Sequence, residues 1–420
     1  MKTNRYIVLL ENQAKKSLSS IEKEFSVSVT SSEDLSKNKR SFDIIDGQNA
    51  VLYKNLNVVV LDNITEQQLQ DALNNSKSPV VGYELEREFV TAGEIELIAE
   101  LKKNVENVQN KIAELEKFIQ NKPIPQQTET KLEWGIKAVG VQNTQFSGKG
   151  IDVCILDTGL DISHPDFQNR NIEGKSFIEG EVWDKDPKGH GTHCAGIATG
   201  NLRMDNGNRY GVAKDANLKI AKVLNNNGKG STSSIIDAID WAITKKFRIV
   251  SMSLASPVSI NEKPSQLFEE IGKRALENNC LLIAAAGNDS SRPSVPEPVS
   301  VPANSTSIMA IAAVDSQLKV AKFSNAGINA ATGGSIDICA PGVDIFSSYS
   351  IKTKTSPKYQ AMSGTSMATP FVSGMAALYM EKFPQKSAKE IWELLEKNAK
   401  KIEGLKFRDI GNGLVQIPTS

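Results

Sequence analysis

The sequence predicts an α/β fold, a doubly wound and mostly parallel sheet, preceded by a small α+β domain and a heptad-patterned helix. Three observations carry that expectation. Beyond Leu132, continuous apolar runs alternate with helical stretches, the pattern of strands buried on both faces and joined by crossover helices. Before residue 92, short strand-like runs mix with one capped helix. Between these zones, residues 94–120 repeat apolar side chains at alternating spacings of three and four. The domain limits that follow are 1–92, 93–131 and 132–420.

In the first zone the strand-like runs are 6–10, 50–53, 57–61 and 80–85. Thr65 followed three positions later by Gln68 reads as a capping box, opening a helix that runs to about Leu73. In the second zone Ile98, Val105, Ile112 and Ile119 fall at a, and Leu101, Val108 and Leu115 at d. β-Branched a positions with mostly Leu at d favour a two-stranded coiled coil. Three heptads are short for pairing alone, so the segment either docks on a neighbouring domain or joins two chains as a homodimer through residues 94–120. Pro123 and Pro125 end it, and residues 121–131 read as an exposed linker. In the third zone, strands are expected at 151–156, 218–223, 249–254, 281–286 and 307–314, with helices at 235–244, 266–278, 365–383 and 389–400.

Composition removes several classes. The 420 residues carry 49 basic and 49 acidic side chains, and a net charge of zero argues against a dedicated nucleic-acid binder. Four cysteines with no CxxC pair make neither a disulfide framework nor a structural zinc site. No run approaches the ~18 apolar residues of a membrane span. The apolar run after Tyr6 is cut off by Glu11, so it reads as a first strand rather than an export signal. Any histidine base must be His164, His190 or His193.

Four constellations carry chemistry. Asp157, in Leu156-Asp157-Thr158-Gly159, ends a buried strand, where α/β sheets gather functional groups; an aspartate there caps a turn as readily as it catalyses. Gly189-His190-Gly191-Thr192-His193-Cys194-Ala195-Gly196 opens a helix of small residues. Its two histidines lie three apart, but a metalloprotease helix would follow the first with glutamate, and Gly191 stands there. Gly364-Thr365-Ser366-Met367 puts a hydroxyl at a helix N-terminus, where amides and dipole favour negative charge. Ala284-Ala285-Ala286-Gly287-Asn288 ends a buried strand in an amide able to donate to an oxyanion.

The chain order Asp, His, Asn, Ser on a parallel α/β sheet is that of the subtilisins. Residues 132–418 closely resemble the catalytic domain of subtilisin-like serine proteases through these blocks and Ser251-Met252-Ser253-Leu254. Residues 1–92 resemble that family's inhibitor-type propeptide, with 80–89 as its last strand. The resemblance implies a serine endopeptidase made as a self-processing zymogen, acting on protein or peptide substrates and held by its own propeptide. It assigns Ser366 as nucleophile, His190 as acid/base, Asp157 as its orienting partner and Asn288 as oxyanion donor, and leaves His164 and His193 structural. Substrate would lie between Gly228-Lys229-Gly230 and Ser253-Leu254-Ala255. Ala255-Ser256 replaces the family's Gly-Gly, which narrows the expected pocket for the residue before the cleaved bond. Asp289, after Asn288, reads either as attracting a basic residue there or as a solvated loop side chain. Asp166 matches a calcium ligand of many relatives, with 201–210 as the partner loop; calcium is thus the one cofactor implied, in a structural and not a catalytic role.

All four cysteines are expected as reduced thiols. With no export signal this points to the cytoplasm, or to secretion if a leader precedes the sequence given. The rival readings are a non-proteolytic binding module on this fold, and an inhibitor or chaperone acting through residues 1–92.

Overall fold

The computed structural model describes residues 5–11, 14–34, 49–91 and 131–418, less residues 169, 204, 330, 332 and 352–356. The heptad segment 94–120 and the linker 121–130 lie outside the described residues.

The first unit is a five-stranded sheet in the order β2-β3-β4-β1-β5. Its strands are β1 (Tyr6–Leu10), β2 (Ser28–Ser31), β3 (Asn49–Tyr53), β4 (Val58–Leu61) and β5 (Val80–Leu85). Helices α1 (Ala14–Phe25) and α2 (Glu66–Asn74) cover one face. The Thr65–Gln68 capping box is present in both directions, and α2 starts where the sequence places it. Val8, Leu10, Val59 and Leu61 pack with Ile21, Phe25, Leu69 and Ala72 in a core of this unit's own. The alternate residues Ile7, Leu9, Val51, Tyr53, Val58 and Val60 join the core of the larger unit instead. A sheet buried on both faces explains why Val58-Val59-Val60-Leu61 is apolar without alternation.

The larger unit is built on a seven-stranded sheet, β15-β14-β13-β11-β7-β9-β8. Here β7 is Asp152–Asp157, β8 Glu173–Ser176, β9 Asn217–Lys222, β11 Ile249–Met252, β13 Leu281–Ala285, β14 Met309–Val314 and β15 Ile338–Pro341. Every adjacent pair is parallel. The chain enters at β7 and builds outward on both sides, so the strand order reverses beside β7 and opens a crevice at its carboxyl end. Three helices flank it: α4 (His190–Thr199), α5 (Thr232–Thr244) and α7 (Thr365–Lys382), with α3 (Trp134–Val139), α6 (Gln266–Glu277) and α8 (Ala388–Lys397) completing the layers. Among the described residues no helix is long and apolar enough to cross a membrane.

One expectation is corrected. Residues 80–89 do not form a single final strand: β5 stops at Leu85, and a new strand, β6 (Glu88–Thr91), leaves the first sheet. β6 runs antiparallel between β10 (Lys229–Ser231) and β12 (Leu254–Ala255), both of the larger unit. The break at Glu86-Arg87 has a physical cause. Glu86 accepts from the amide and hydroxyl of Ser233 in the first turn of α5. Glu84 does the same work at α6, accepting from Leu267 N (3.1 Å) and the Ser265 hydroxyl (2.9 Å). Carboxylates placed on two helix N-termini meet amides that have no partner inside the helix. Bending the chain toward these termini ends the first sheet.

Further along α5, Asp237 accepts from the Tyr53 hydroxyl, and Asp240 accepts from Ser32 Oγ (2.8 Å) and Asn55 Nδ2 (3.0 Å). Burial raises the Asp240 pKa above the usual carboxylate value, with the two hydrogen bonds opposing. A carboxyl raised in the docked state favours docking at low pH, and that contribution is lost as pH rises through the raised pKa. Hydrogen exchange of β6 amides in a Ser366→Ala protein is therefore expected to quicken as pH rises above the ordinary carboxylate range, beyond the intrinsic rate. Asp240→Asn should flatten that extra dependence; an unchanged profile would contradict it.

Candidate active site

Asp157 is the last residue of β7 and is 1% exposed. His190 is the first residue of α4, and its Nδ1 lies 2.7 Å from Asp157 Oδ1 and 2.9 Å from Oδ2. The glycines of the motif are explained by this closeness: a Cβ on Gly191 would run into the Gly159 carbonyl. Burial of the imidazole works against its charge, yet the Asp157 carboxylate outweighs it and holds the His190 pKa well above the ordinary value.

Ser366 is the second residue of α7 and is buried. Its hydroxyl donates to Ser253 O (3.1 Å), while the Ser253 hydroxyl donates back to Ser366 O (2.8 Å). Asn288 follows β13, and its Oδ1 accepts from Thr365 N (2.8 Å) and Thr365 Oγ1 (3.0 Å). A backbone N–H can only donate, so this contact fixes the amide orientation and leaves Nδ2 as the outward donor. Asn288 Nδ2 and His190 Nε2 are both buried with no protein hydrogen-bond partner.

The other histidines are held elsewhere. His193 Nε2 donates to Gln360 O (2.9 Å), and burial drives its pKa down to about 3. His164 Nε2 donates to Lys358 O (2.7 Å), and its Nδ1 accepts from Asp166 N (3.2 Å). All four cysteines are free and buried. Cys194 Sγ sits 3.9 Å from His190 Nδ1 and 3.5 Å from Ser366 O. Asp157, His190 and Cys194 thus converge as a metal trio would. His190 Nδ1 is already committed to Asp157, however, and burial raises the Cys194 thiol, so its protonated form persists.

Both substrate segments named from the sequence flank β6. Gly228 O accepts from Thr91 N (3.0 Å), Lys229 pairs with Val90 and Gly230 with Phe89. Opposite them, Leu254 pairs with Thr91 and Ala255 with Val90. Ser253 directly precedes this strand and touches Ser366. Phe89 is fully buried, edge-on to Phe268 at 5.7 Å, a contact worth about 0.5–1.5 kcal/mol beyond its area. Ala255 is buried against Ala285, and Ser256 exchanges backbone bonds with Val301. Asp289 is half-buried, and its Oδ2 accepts from Asn325 Nδ2 (2.9 Å) and Ser300 Oγ (3.3 Å).

Asp166 does not fit the calcium role that the resemblance implies. Its two carboxylate oxygens accept from the hydroxyls of Tyr210 and Tyr359. In the partner loop, Asp205 is bound through both oxygens by Arg203. Calcium takes six to eight oxygens, and these are already engaged.

Sequence reasoning missed Asp186. Its carboxylate accepts from Gly189 N, Thr192 N, Thr192 Oγ1 and Thr158 Oγ1 at 2.7–2.9 Å. Thr158 in turn accepts from Gly191 N (2.9 Å). Asp186 thereby fastens the start of α4 to the end of β7. An aspartate just before a helix start was the available signal.

Residues 148–413 match the subtilase family. Subtilisin DY of Bacillus licheniformis is 35% identical over 283 residues, spanning 67% of this chain and 94% of that protein. A thermostable alkaline protease of Halalkalibacterium halodurans is 38% identical over 286 residues (67% and 71%), and the major intracellular serine protease of Bacillus subtilis is 39% identical over 248 (58% and 72%). The chain belongs to the subtilase family. Its activity is that of a subtilisin-like serine endopeptidase.

Replacing Asp186 by Ala strands three buried donors, Thr158 Oγ1, Thr192 N and Thr192 Oγ1, while Gly189 N keeps the carbonyl of residue 186. The expected result is a loss of about 3 kcal/mol or more in urea unfolding, measured on a Ser366→Ala background. Loss under about 1 kcal/mol would contradict the fastening role.

Proposed function

We propose that this chain is an endopeptidase made with its own inhibitor, in which Asp157, His190 and Ser366 act as a catalytic triad. The observation that carries the reading is the pair of buried polar atoms without protein partners, His190 Nε2 and Asn288 Nδ2. Acyl transfer asks for a group of each kind: a base to take the hydroxyl proton and a donor to meet the oxyanion.

In this reading Ser366 Oγ attacks the substrate carbonyl and its proton passes to His190 Nε2. Asp157 holds the Nδ1–H tautomer and stabilises the imidazolium without taking the proton itself. The oxyanion accepts from Asn288 Nδ2 and from the Ser366 N–H, which belongs to a first helical turn. His190 then protonates the leaving amine, and water repeats the sequence on the acyl-enzyme. Losing an oxyanion donor of this kind costs about 10²–10³ in kcat, a magnitude known from another subtilisin.

The N-terminal unit supplies the inhibitor. β6 lies where an extended substrate would lie, between β10 and β12. Its antiparallel register pairs Leu254 with Thr91, the last described residue of the strand, and Ser253, one position before Leu254, is in contact with Ser366. Self-cleavage is therefore expected just beyond Thr91, at the Ala92–Gly93 bond. A cut there leaves residues 94–120 on the enzyme as an N-terminal arm, and sedimentation with and without that arm tests whether it pairs two chains. Free buried thiols and the intracellular relative support the cytoplasm as the place of work.

Wild-type protein is expected to acquire a new N-terminus at Gly93 and to label with a fluorophosphonate, while Ser366→Ala stays intact and unlabelled. A first cut within residues 121–131 would overturn the register argument. Absence of labelling after the N-terminal unit is removed would favour the inhibitor or chaperone reading. The pH profile of kcat/KM should lose activity on the acid side with a midpoint above the ordinary histidine value, since the raised His190 pKa must be passed before the base is free. Asp157→Asn is expected to lower kcat by about 10⁴.

A further inference from the structure

Loop 201–210 is closed on itself and on the chain that follows the linker. Gly207 N donates to Arg203 O (2.8 Å), Arg203 N to Asn208 O (2.8 Å) and Tyr210 N to Asn201 O (3.1 Å). Glu133 N donates to Arg209 O (2.9 Å), and Arg209 N to Lys131 O (2.8 Å). The carbonyls of Asn201, Arg203, Asn208 and Arg209 are therefore spent on backbone amides. One side-chain oxygen in it, Asn208 Oδ1, is buried without a partner, and a single neutral oxygen is far short of a calcium shell.

Arg203 occupies the middle of this arrangement, with its side chain 10% exposed. Its Nε and Nη2 bind Asp205 at 3.0 and 2.6 Å, a bidentate fork, and its Nη1 binds Glu133 Oε1 at 2.9 Å. Asn208 Nδ2 reaches the same Glu133 oxygen at 3.1 Å. The guanidinium also stacks on Phe346 at 4.4 Å and on Tyr359 at 5.2 Å. Tyr359 and Tyr210 in turn donate to Asp166.

We infer that Arg203 is a built-in cation that ties loop 201–210 to the Glu133 segment and to the hairpin bearing Phe346 and Tyr359, so that this part of the fold requires no divalent metal. A planar, permanently charged fork suits two carboxylates and two ring faces at once. A covalently tethered cation, unlike a bound ion, leaves neither with dilution nor with a chelator. The residues it holds begin the larger unit, at the place where the linker joins it. Arg203 is a positioning residue with no contact to the reacting groups.

The test uses the full chain carrying Ser366→Ala. Its melting temperature should be the same in excess EDTA as in millimolar calcium chloride, and equilibrium dialysis should find no calcium bound that Asp166→Asn removes. Arg203→Met should lower the melting temperature by about 5–10 °C in either medium, since it strands the mostly buried Glu133 carboxylate, removes the fork on the exposed Asp205 and takes the cation off two ring faces. Should that variant fail to fold, Asp205→Asn, which removes one partner, is expected to give a smaller fall that calcium does not restore. A calcium-dependent rise in wild-type melting that Asp166→Asn or Asp205→Asn abolishes would overturn the inference. So would an Arg203→Met protein that melts like its parent.

Discussion

The contact between the His190 imidazole and the Asp157 carboxylate depends on a carboxylate held in place, and the end of β7 provides that fixed point. Asp157 ends an interior strand of the seven-stranded parallel sheet, with β11 on one side and β9 on the other, where it pairs with Lys222. Its own Oδ1 accepts from Thr158 N (2.7 Å), so it is tethered before His190 arrives. Lys222, at the end of the neighbouring strand and fully buried, donates to the Thr158 carbonyl and pairs with Glu181 at 3.0 Å. Asp186 ties the opening of α4 to the same turn. Asp186 and Lys222 thereby hold the ends of β7 and β9 and the start of α4 in one fixed relation.

The N-terminal unit illustrates a different constraint. Its sheet has two buried faces but only one set of helices, so half of its apolar side chains need the larger unit to cover them. The polar part of the junction is made of carboxylates on helix ends and a buried aspartate with two donors. That combination couples docking to both apolar burial and charge state. It also explains why Tyr53, on a strand of the smaller unit, is among the largest fully buried side chains.

The five buried strands expected in the larger unit and the Thr65 cap follow from local pattern, because a parallel sheet writes itself as apolar runs and a cap as a short polar spacing. Asp157, His190, Asn288 and Ser366 stand out by their motifs, and the family resemblance gives them their roles. The split at Glu86-Arg87 was not readable, since only the helix termini of a distant segment make that bend favourable. Helix α1 and the strands β2, β6, β10 and β12 were also missed; the last three are two to four residues long and exist only by pairing with one another. Asp166 misled for a related reason. A carboxylate in the expected place says nothing about whether tyrosines, 44 and 193 positions away, have already taken its oxygens.

The three-stranded sheet across the junction has a consequence for what the enzyme can digest. In the proposed reading, removal of β6 turns β10 and β12 into two facing edges whose amides and carbonyls ask for a backbone, not for particular side chains. A chain can answer only if its own backbone groups are unspent over about four residues, as the length of β6 suggests. Segments locked in helices or interior strands cannot enter, whereas loops, termini and unfolded polypeptide can. On that reading, discrimination at this cleft is first a reading of foldedness, and only afterwards of sequence.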